Sequence, residues 1–317
     1  MLSYIIRRML INIPVLLGIT ILVFLFTALA PGDPISAYIS PEMGDNPVLR
    51  EQLTKQLGLD QPIPVRYVRW LGEAVQGNLG YRAIGGQAVA ESVSRALQNS
   101  AVLMSVALIM GCLVGIPLGI LSAIRQYSRT DFALTTLAFF GISTPSFMLG
   151  LGGLYIFGLK LGWMPIGGMT TPGQPFSIAD FLHHLALPGL ILSTGYIATM
   201  MRYTRSSMLE VINATYISTA RAKGLHERKV VLLHAFRNAL IPIVTVIGLS
   251  VPELVGGAVI TESVFSWPGM GSLLVDGVSG RDYPLIMGIS LVVGVTVLIA
   301  NLLTDIAYAL VDPRIRY

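Results

Sequence analysis

Cysteine is almost missing from this chain: Cys112 is the single one in 317 residues, and it sits inside an apolar run. No disulfide framework and no thiolate metal cluster is therefore available within one chain. Four histidines are present, of which only His183 and His184 are adjacent, and none has zinc-site spacing. Charge is also scarce, at 12% of residues, against roughly a quarter in soluble domains. The signatures H-E-x-x-H, G-x-S-x-G and G-x-x-x-x-G-K-[ST] are all absent. These absences exclude the common hydrolase, metalloprotease and nucleotide-binding chemistries, and they leave no catalytic residue and no metal ligand to name. A potassium filter is excluded too, because Ser193-Thr194-Gly195-Tyr196 lies within a span and lacks the following glycine.

What the chain has instead is apolar length. Hydrophobic residues make up 53% of it and mean hydropathy is +0.70, which points to a polytopic membrane protein. A helix needs about 20 mostly apolar residues to cross the bilayer. Runs at 9–30, 100–124, 132–159 and 284–304 carry no charge, and 239–260 carries only Glu253. The run at 185–201 is shorter, and its helix continues through Arg202. These runs lack the two-residue alternation of barrel strands. The expectation is an all-α protein with six transmembrane helices. The first run is expected to stay as a membrane anchor, since it exceeds a signal-peptide core and Pro31 follows the small-x-small Ala28-Leu29-Ala30.

The net charge of +4 reads as topology, not nucleic-acid binding, because the basic residues lie between spans. Placing the N-terminus in the cytoplasm puts 13 of the 21 Lys and Arg residues on the inner side. The short outer loops 162–184 and 261–283 then hold only Arg281. Both termini are expected to face the cytoplasm.

Punctuation within the spans predicts packing. Gly111, Gly115 and Gly119 repeat at four-residue spacing and form a smooth face for close helix approach. Pro117 beside them is expected to kink its helix. Ser143-Thr144-Pro145-Ser146 is expected to interrupt the third span, and Pro242 and Pro252 the fifth. Such breaks suit helices that line a transport path, so Ser143, Thr144, Ser146, Ser250 and Glu253 are the pathway candidates. Glu253 has two readings, a proton relay of a secondary transporter or a locally paired carboxylate. The relay reading requires internal repeats, and none is evident. In the last outer loop, Ser266 is expected to cap a short helix with Pro268 in its first turn and Gly280 past its end. Met270, Leu273, Leu274 and Val278 would share one face, and the segment would dip against the bundle.

The most unusual stretch is YISTARAKGLHERKVVLLHAFRNALIP, residues 216–242, a basic island between two spans. Asn213 or Thr215 is expected to cap a short helix through Lys223. Gly224 stands where a left-handed helix end is expected, with Leu225 as the following apolar contact. A second helix from about His226 leads through Val230, Leu233 and Phe236 into the fifth span. Ser218, Ala220 and Ala222 keep the turn slim. That shape suits insertion into a partner's groove, whereas a solvated topology loop would explain the charges but not the turn.

The island resembles the EAA loop of ABC-importer permeases in the form carried by the dipeptide, oligopeptide and nickel branch. The resemblance rests on Ala220-Arg221-Ala222-Lys223-Gly224-Leu225, His234, Arg237-Asn238 and Pro242. Ser218-Thr219-Ala220 stands where other branches have Glu-Ala-Ala. Further matches run along the chain: Pro31-Gly32-Asp33-Pro34, Gly77-Asn78-Leu79-Gly80, Thr261-Glu262-Ser263-Val264-Phe265, Pro268-Gly269-Met270-Gly271, Arg281-Asp282-Tyr283-Pro284 and Asp312-Pro313-Arg314.

The resemblance implies a type I importer permease fold of the B type. Residues 1–30 would hold the tail and first helix, 31–99 a large extracytoplasmic segment between helices 1 and 2, 100–311 a five-helix core, and 312–317 a cytoplasmic tail. The loop at 202–238 would couple to ATPases through Ser218, Thr219, Ala220, Arg221, Ala222, Lys223, Gly224 and Leu225. An outer gate would involve Phe265, Trp267, Pro268, Gly269, Met270 and Leu273. The implied partners are a homologous second permease, two ATPase subunits that bind ATP and Mg, an extracytoplasmic binding protein and the lipid bilayer. This chain itself would bind no cofactor and catalyse nothing. It would sit in a bacterial or archaeal inner membrane and pass di- or oligopeptides, with nickel or glutathione as alternative cargo.

Overall fold

The protein is described by a computed structural model covering residues 2–31, 33–39 and 47–311. Asp312-Pro313-Arg314, Gly32 and the tail at 312–317 lie outside the described residues. In chain order the helices are α1 (Leu2–Leu29), α2 (Pro47–Gln56), α3 (Ile63–Val75), α4 (Val89–Ile124), α5 (Arg129–Ser143) and α6 (Ser146–Gly153), the last running on as a π-helical stretch, Leu154–Lys160. They continue with α7 (Ile178–Ile212), α8 (Thr215–Ala222), α9 (Glu227–Lys229), a π-helical turn (Val230–Ala235), α10 (Phe236–Ser250), α11 (Glu253–Gly256), α12 (Val259–Val264), α13 (Met270–Ser279) and α14 (Tyr283–Val311). Among the described residues the only β pairing is one bridge, Tyr81 to Ala88.

The glycine face works as its spacing predicts. A Cβ on Gly115 would lie 2.6 Å from the Ile197 carbonyl, and one on Gly119 would lie 2.6 Å from the Met201 carbonyl. Gly111 is equally tight against Tyr196, and Gly189 meets Val106 from the other side. Contact therefore advances in the same direction along α4 and α7, so these two long helices are parallel. They run through Pro117 and Pro188 without a break.

Parallel neighbours oblige the intervening chain to cross back, and α5 with α6 does so. Asp131 at the start of α5 pairs with Arg205, Gly141 lies against Thr194 and Ala198, and Gly153 meets Leu187 and Ile191. The two helices meet at 95° across Thr144-Pro145, yet their contacts climb α7 from one end to the other. They form one broken span, and with it the apolar spans among the described residues number six: α1, α4, α5–α6, α7, Glu227–Ser250 and α14.

The fifth span differs from the expected 239–260. It begins within the basic island at Glu227 and ends at Ser250. Pro242 stays inside α10, while Val251-Pro252 ends it and Gly257 turns the chain at φ +71°. Pro242 sits mid-way along α10 without breaking it, as proline is tolerated in membrane helices more readily than in soluble ones.

Antiparallel contact joins α1 to α14, with Arg8 against Asp305 at 3.0 Å and Leu16 beside Gly294. Val89 abuts Gly288, so α14 runs with α4. The start of α1 and the end of α14 therefore point to the end of the bundle that carries α8. At the opposite end, α3 packs Tyr67 and Trp70 against Phe24 of α1, with ring centres 5.5 and 6.3 Å apart. Arg82 reaches the buried Asp282 at 3.5 Å. Burial, with the Asp282 carboxylate adding, pushes the Tyr38 hydroxyl up to about 12. The outside of α5 is apolar and exposed at Phe132, Leu137 and Phe140, the inverse of a soluble helix.

Candidate functional site

The basic island folds as a hairpin seated on the ends of α4 and α7. Ile217 and Ala220 of α8 are buried with Ala123, Met208, Val230, Val231, Ala235 and Ala239 in one apolar cluster. The helix starts after Ala214, whose side chain offers no cap; Asn213 instead bonds back to the Leu209 carbonyl, and Thr215 is the first helical residue. Neither predicted cap is used.

The turn itself follows the expected chemistry. Gly224 has φ +76°, its N–H donates to the Arg221 carbonyl at 2.9 Å, and the Leu225 N–H donates to the Ala220 carbonyl at 3.4 Å. This pair of bonds is the Schellman ending of a helix, with Leu225 placed to contact Ala220. The His226 ring then accepts from the Arg228 N–H at 3.2 Å and starts the second helix. Arg221 spans the turn to Glu227 through two hydrogen bonds, at 2.8 and 3.2 Å, and this raises the Arg221 pKa above its ordinary value.

Burial divides the eight predicted coupling residues. Ser218, Thr219, Arg221, Ala222, Lys223, Gly224 and Leu225 are exposed, whereas Ala220 is 8% exposed and faces inward. The slim outer edge is thus a contiguous surface, and Ala220 is part of its foundation.

At the other end, the loop and α13 are locked by a carboxylate that the sequence showed only as motif wording. Glu262 is fully buried and accepts from Ser100 Oγ at 2.6 Å, Ala258 N–H at 3.3 Å, Gly271 N–H at 2.8 Å and Ser272 N–H at 3.1 Å. Two of those donors belong to the first turn of α13, where a carboxylate is favoured. Gly269 and Gly271 are required by this closeness, since a Cβ on either would collide with Glu262 or with the Val259 backbone.

The cap is not where it was expected. Ser266 lies at φ +48° in the turn, Pro268 precedes the helix, and α13 begins at Met270 with Gly269 as its cap and Gly280 at its end. Trp267 overrides a Ser266 cap by burying itself completely, donating its indole N–H to the Asn99 carbonyl at 3.0 Å and packing on Phe181, Leu103 and Leu185. Of the gate candidates, Phe265, Trp267, Gly269 and Met270 are buried within this chain, Leu273 is half-buried and Pro268 is exposed. The inner face of α13 is Met270, Leu273, Leu274 and Gly277, and Val278 lies outside it at 58% exposed.

The pathway candidates separate as well. Ser143, Thr144 and Ser146 line the bend between α5 and α6, with Ser143 and Ser146 exposed. Ser250 is buried and bonds to the Val246 carbonyl of its own helix, so it lines nothing. Glu253 is exposed where α10 breaks, and its carboxylate accepts from the Tyr196 hydroxyl at 3.0 Å. Of its two readings, the geometry supplies the local partner. No described contact joins Glu253 to the α5–α6 bend. Among the described residues no group of three His, Cys, Asp or Glu side chains is placed to hold a metal ion.

Sequence reasoning also missed the Asp131–Arg205 pair. Arg205 donates twice, at 2.8 and 2.9 Å, while Ser122 and the Tyr127 N–H complete the carboxylate. A lone Asp immediately before the apolar run 132–159 was the available signal.

Comparison with known proteins agrees with this architecture. Residues 115–317 match the family described as binding-protein-dependent transport system inner membrane component, and residues 1–108 match its N-terminal companion. A putative peptide permease protein of Brucella ovis is 50% identical over 317 residues, covering 100% of this chain and 99% of that one. The oligopeptide transport system permease protein AppB of Bacillus subtilis is 45% identical over 318 residues, covering 100% of both. The glutathione transport system permease protein GsiC of Escherichia coli K12 is 39% identical over 317 residues, again covering 100% of both. The inward-facing MetNI methionine ABC transporter has a similar fold, with a TM-score of 0.54 at 16% identity over 69% of this chain and 96% of that one. The chain belongs to the family of binding-protein-dependent transport system inner membrane components.

Proposed function

We propose that this chain is one permease subunit of an ATP-driven importer of di- or oligopeptides. Full-length similarity to peptide and oligopeptide permeases supports the cargo. A second homologous permease completes the pathway, two ATPase subunits bind and hydrolyse ATP with Mg, and an extracytoplasmic binding protein delivers the peptide. Both termini and the α8 hairpin face the cytoplasm in this reading, which the positive charge bias supports.

The single observation that carries the mechanism is the hairpin. Its exposed edge, Ser218 to Leu225 without Ala220, projects from a base that is packed on α4 and α7. Force applied to that edge by ATPase closure moves both parallel helices together, because their glycine contact leaves no slack. A coupled two-state change of this kind alternates access to the pathway. At the outer end, the Glu262 lock makes α13 move as a unit with α4.

The test is transport by the complete complex in proteoliposomes. Uptake of a labelled tripeptide that requires ATP and the binding protein supports the reading. Uptake that persists without ATP and collapses with the proton gradient overturns it in favour of a secondary transporter. Glutathione is the second cargo to assay, because a glutathione permease is among the full-length relatives.

A further inference from the structure

Glu253 has a partner within this chain, the Tyr196 hydroxyl, that orients its carboxylate but brings no opposite charge. Tyr196, which donates to it at 3.0 Å, packs against Gly111, midway along the apolar run 100–124. Gly257, four residues after Glu253, abuts the Ser100 side chain at the end of that run. The carboxylate therefore lies inside the membrane, between the levels of Ser100 and Gly111. It is nevertheless exposed on the surface of the chain, and no Lys, Arg or His pairs with it among the described residues. An exposed carboxylate at that depth does not face hydrocarbon; such groups face a water-filled path or a cationic partner. The face carrying Tyr196 and Glu253 is thus the pathway side of the subunit.

We infer that Glu253 is a specificity-determining residue of the translocation path, which pairs with the α-ammonium group of the passing peptide while the Tyr196 hydroxyl holds its carboxylate in place. The inference rests on the peptide-importer reading. A free peptide brings one fixed positive charge into the membrane, and that charge needs a counter-charge wherever water thins out. Glu253 opens the short helix α11, between the end of α10 at Ser250 and the turn at Gly257, and its exposed carboxylate is held beside α7 by the Tyr196 hydroxyl.

The test compares Glu253→Gln, Glu253→Asp and Tyr196→Phe in the complete complex, reading initial rates of tri-alanine import in proteoliposomes. Glutamine still accepts the tyrosine hydrogen bond, so a purely structural role leaves Glu253→Gln near the wild-type rate and sinks the inference. The expected result is a loss of roughly tenfold or more for Glu253→Gln, as for a desolvated charge left without its partner, with Glu253→Asp recovering most of it. Tyr196→Phe should raise KM more than it lowers kcat. If Glu253→Gln also fails to co-purify with the second permease, the carboxylate pairs with a cation of that subunit and the inference is wrong. Sensitivity of wild-type import to a protonophore with ATP present would mark it as a proton relay and equally overturn it. A Glu253→Cys variant in a Cys112→Ala background gives an independent reading: a cationic thiosulfonate should label it, and excess tri-alanine should slow that labelling. If wild-type complex shows no ATP-dependent import of tri-alanine, the importer reading itself has failed, which is a separate outcome from an unaffected Glu253→Gln.

Discussion

Ser100 and Glu262, 162 positions apart, share a 2.6 Å hydrogen bond, and the same Ser100 hydroxyl oxygen accepts from the Met270 N–H at 2.8 Å. One side chain of α4 thereby fastens both the end of α12 and the first turn of α13. With four donors on it, the Glu262 carboxylate is fully occupied, which is what permits a charged group to be buried completely. The loop before α13 is for this reason a fixed part of the bundle and not a flap lying on its surface.

Replacing Glu262 by glutamine tests the lock with almost no change of shape. Its amide NH2 must face either the Ser100 and Ala258 donors or the Gly271 and Ser272 donors, so at least one buried donor loses its acceptor. A destabilisation of about 1–3 kcal/mol follows, read as a lower melting temperature of the purified protein in detergent. Gly269→Ala should be at least as damaging, since its methyl group collides with the carboxylate. An unchanged melting temperature for both would show that the loop is not locked.

The Asp131–Arg205 pair predicts a different pattern. Asp131 is nearly buried and Arg205 about a quarter exposed, with side-chain exposures of 6% and 26%. Removing one partner of a buried pair is costly, roughly 3 kcal/mol or more, because the other charge is left uncompensated. Arg205→Ala should therefore destabilise more than the double replacement Asp131→Asn with Arg205→Gln. Additive losses in a double-mutant cycle would deny the coupling.

What the sequence made legible was whatever depends on local chemistry. Gly224 was readable because a left-handed helix end favours glycine and an apolar residue after it. The smooth face of Gly111, Gly115 and Gly119 was readable because close helix approach needs a fixed spacing. Partners far apart in sequence were not: nothing near Glu262 announces Ser100, and nothing near Asp131 announces Arg205. Local rules also failed where burial outweighed them. Ser266 has the right chemistry for a cap, but complete burial of Trp267 pulls it into a left-handed turn. The expected fifth span runs ten residues too far for a related reason: the apolar run continues past Val251-Pro252, but the helix stops there and the chain turns at Gly257.

Orientation is open to a direct check. In a Cys112→Ala background, Gly173→Cys in the exposed loop before α7 should react with an impermeant reagent added outside the cell. His226→Cys, in the turn of the hairpin, should react only after the membrane is permeabilised. The opposite pattern would put the hairpin outside, away from any ATPase.

The hairpin itself gives the sharpest separation between shape and charge. Gly224 has open space around the position of a Cβ, so Gly224→Val meets no steric obstacle within the chain. Its cost is backbone strain at φ +76°, about 1–2 kcal/mol, together with added bulk on the exposed edge. The six spans should still insert and fold, while ATPase co-purification and peptide-stimulated ATP hydrolysis are lost. Ala220→Trp is expected to fail by another route: Ala220 packs on Ile217, Val230 and Met208, and a larger side chain there unseats the hairpin from α4 and α7. A lowered melting temperature should accompany its loss of docking, whereas Gly224→Val should lose docking with a far smaller thermal penalty. Arg228→Gln changes a charge on the exposed second helix and should leave both readouts nearly unaltered. Normal ATPase docking by Gly224→Val would mean that the edge of the hairpin is not the contact, and the coupling mechanism would fall with it.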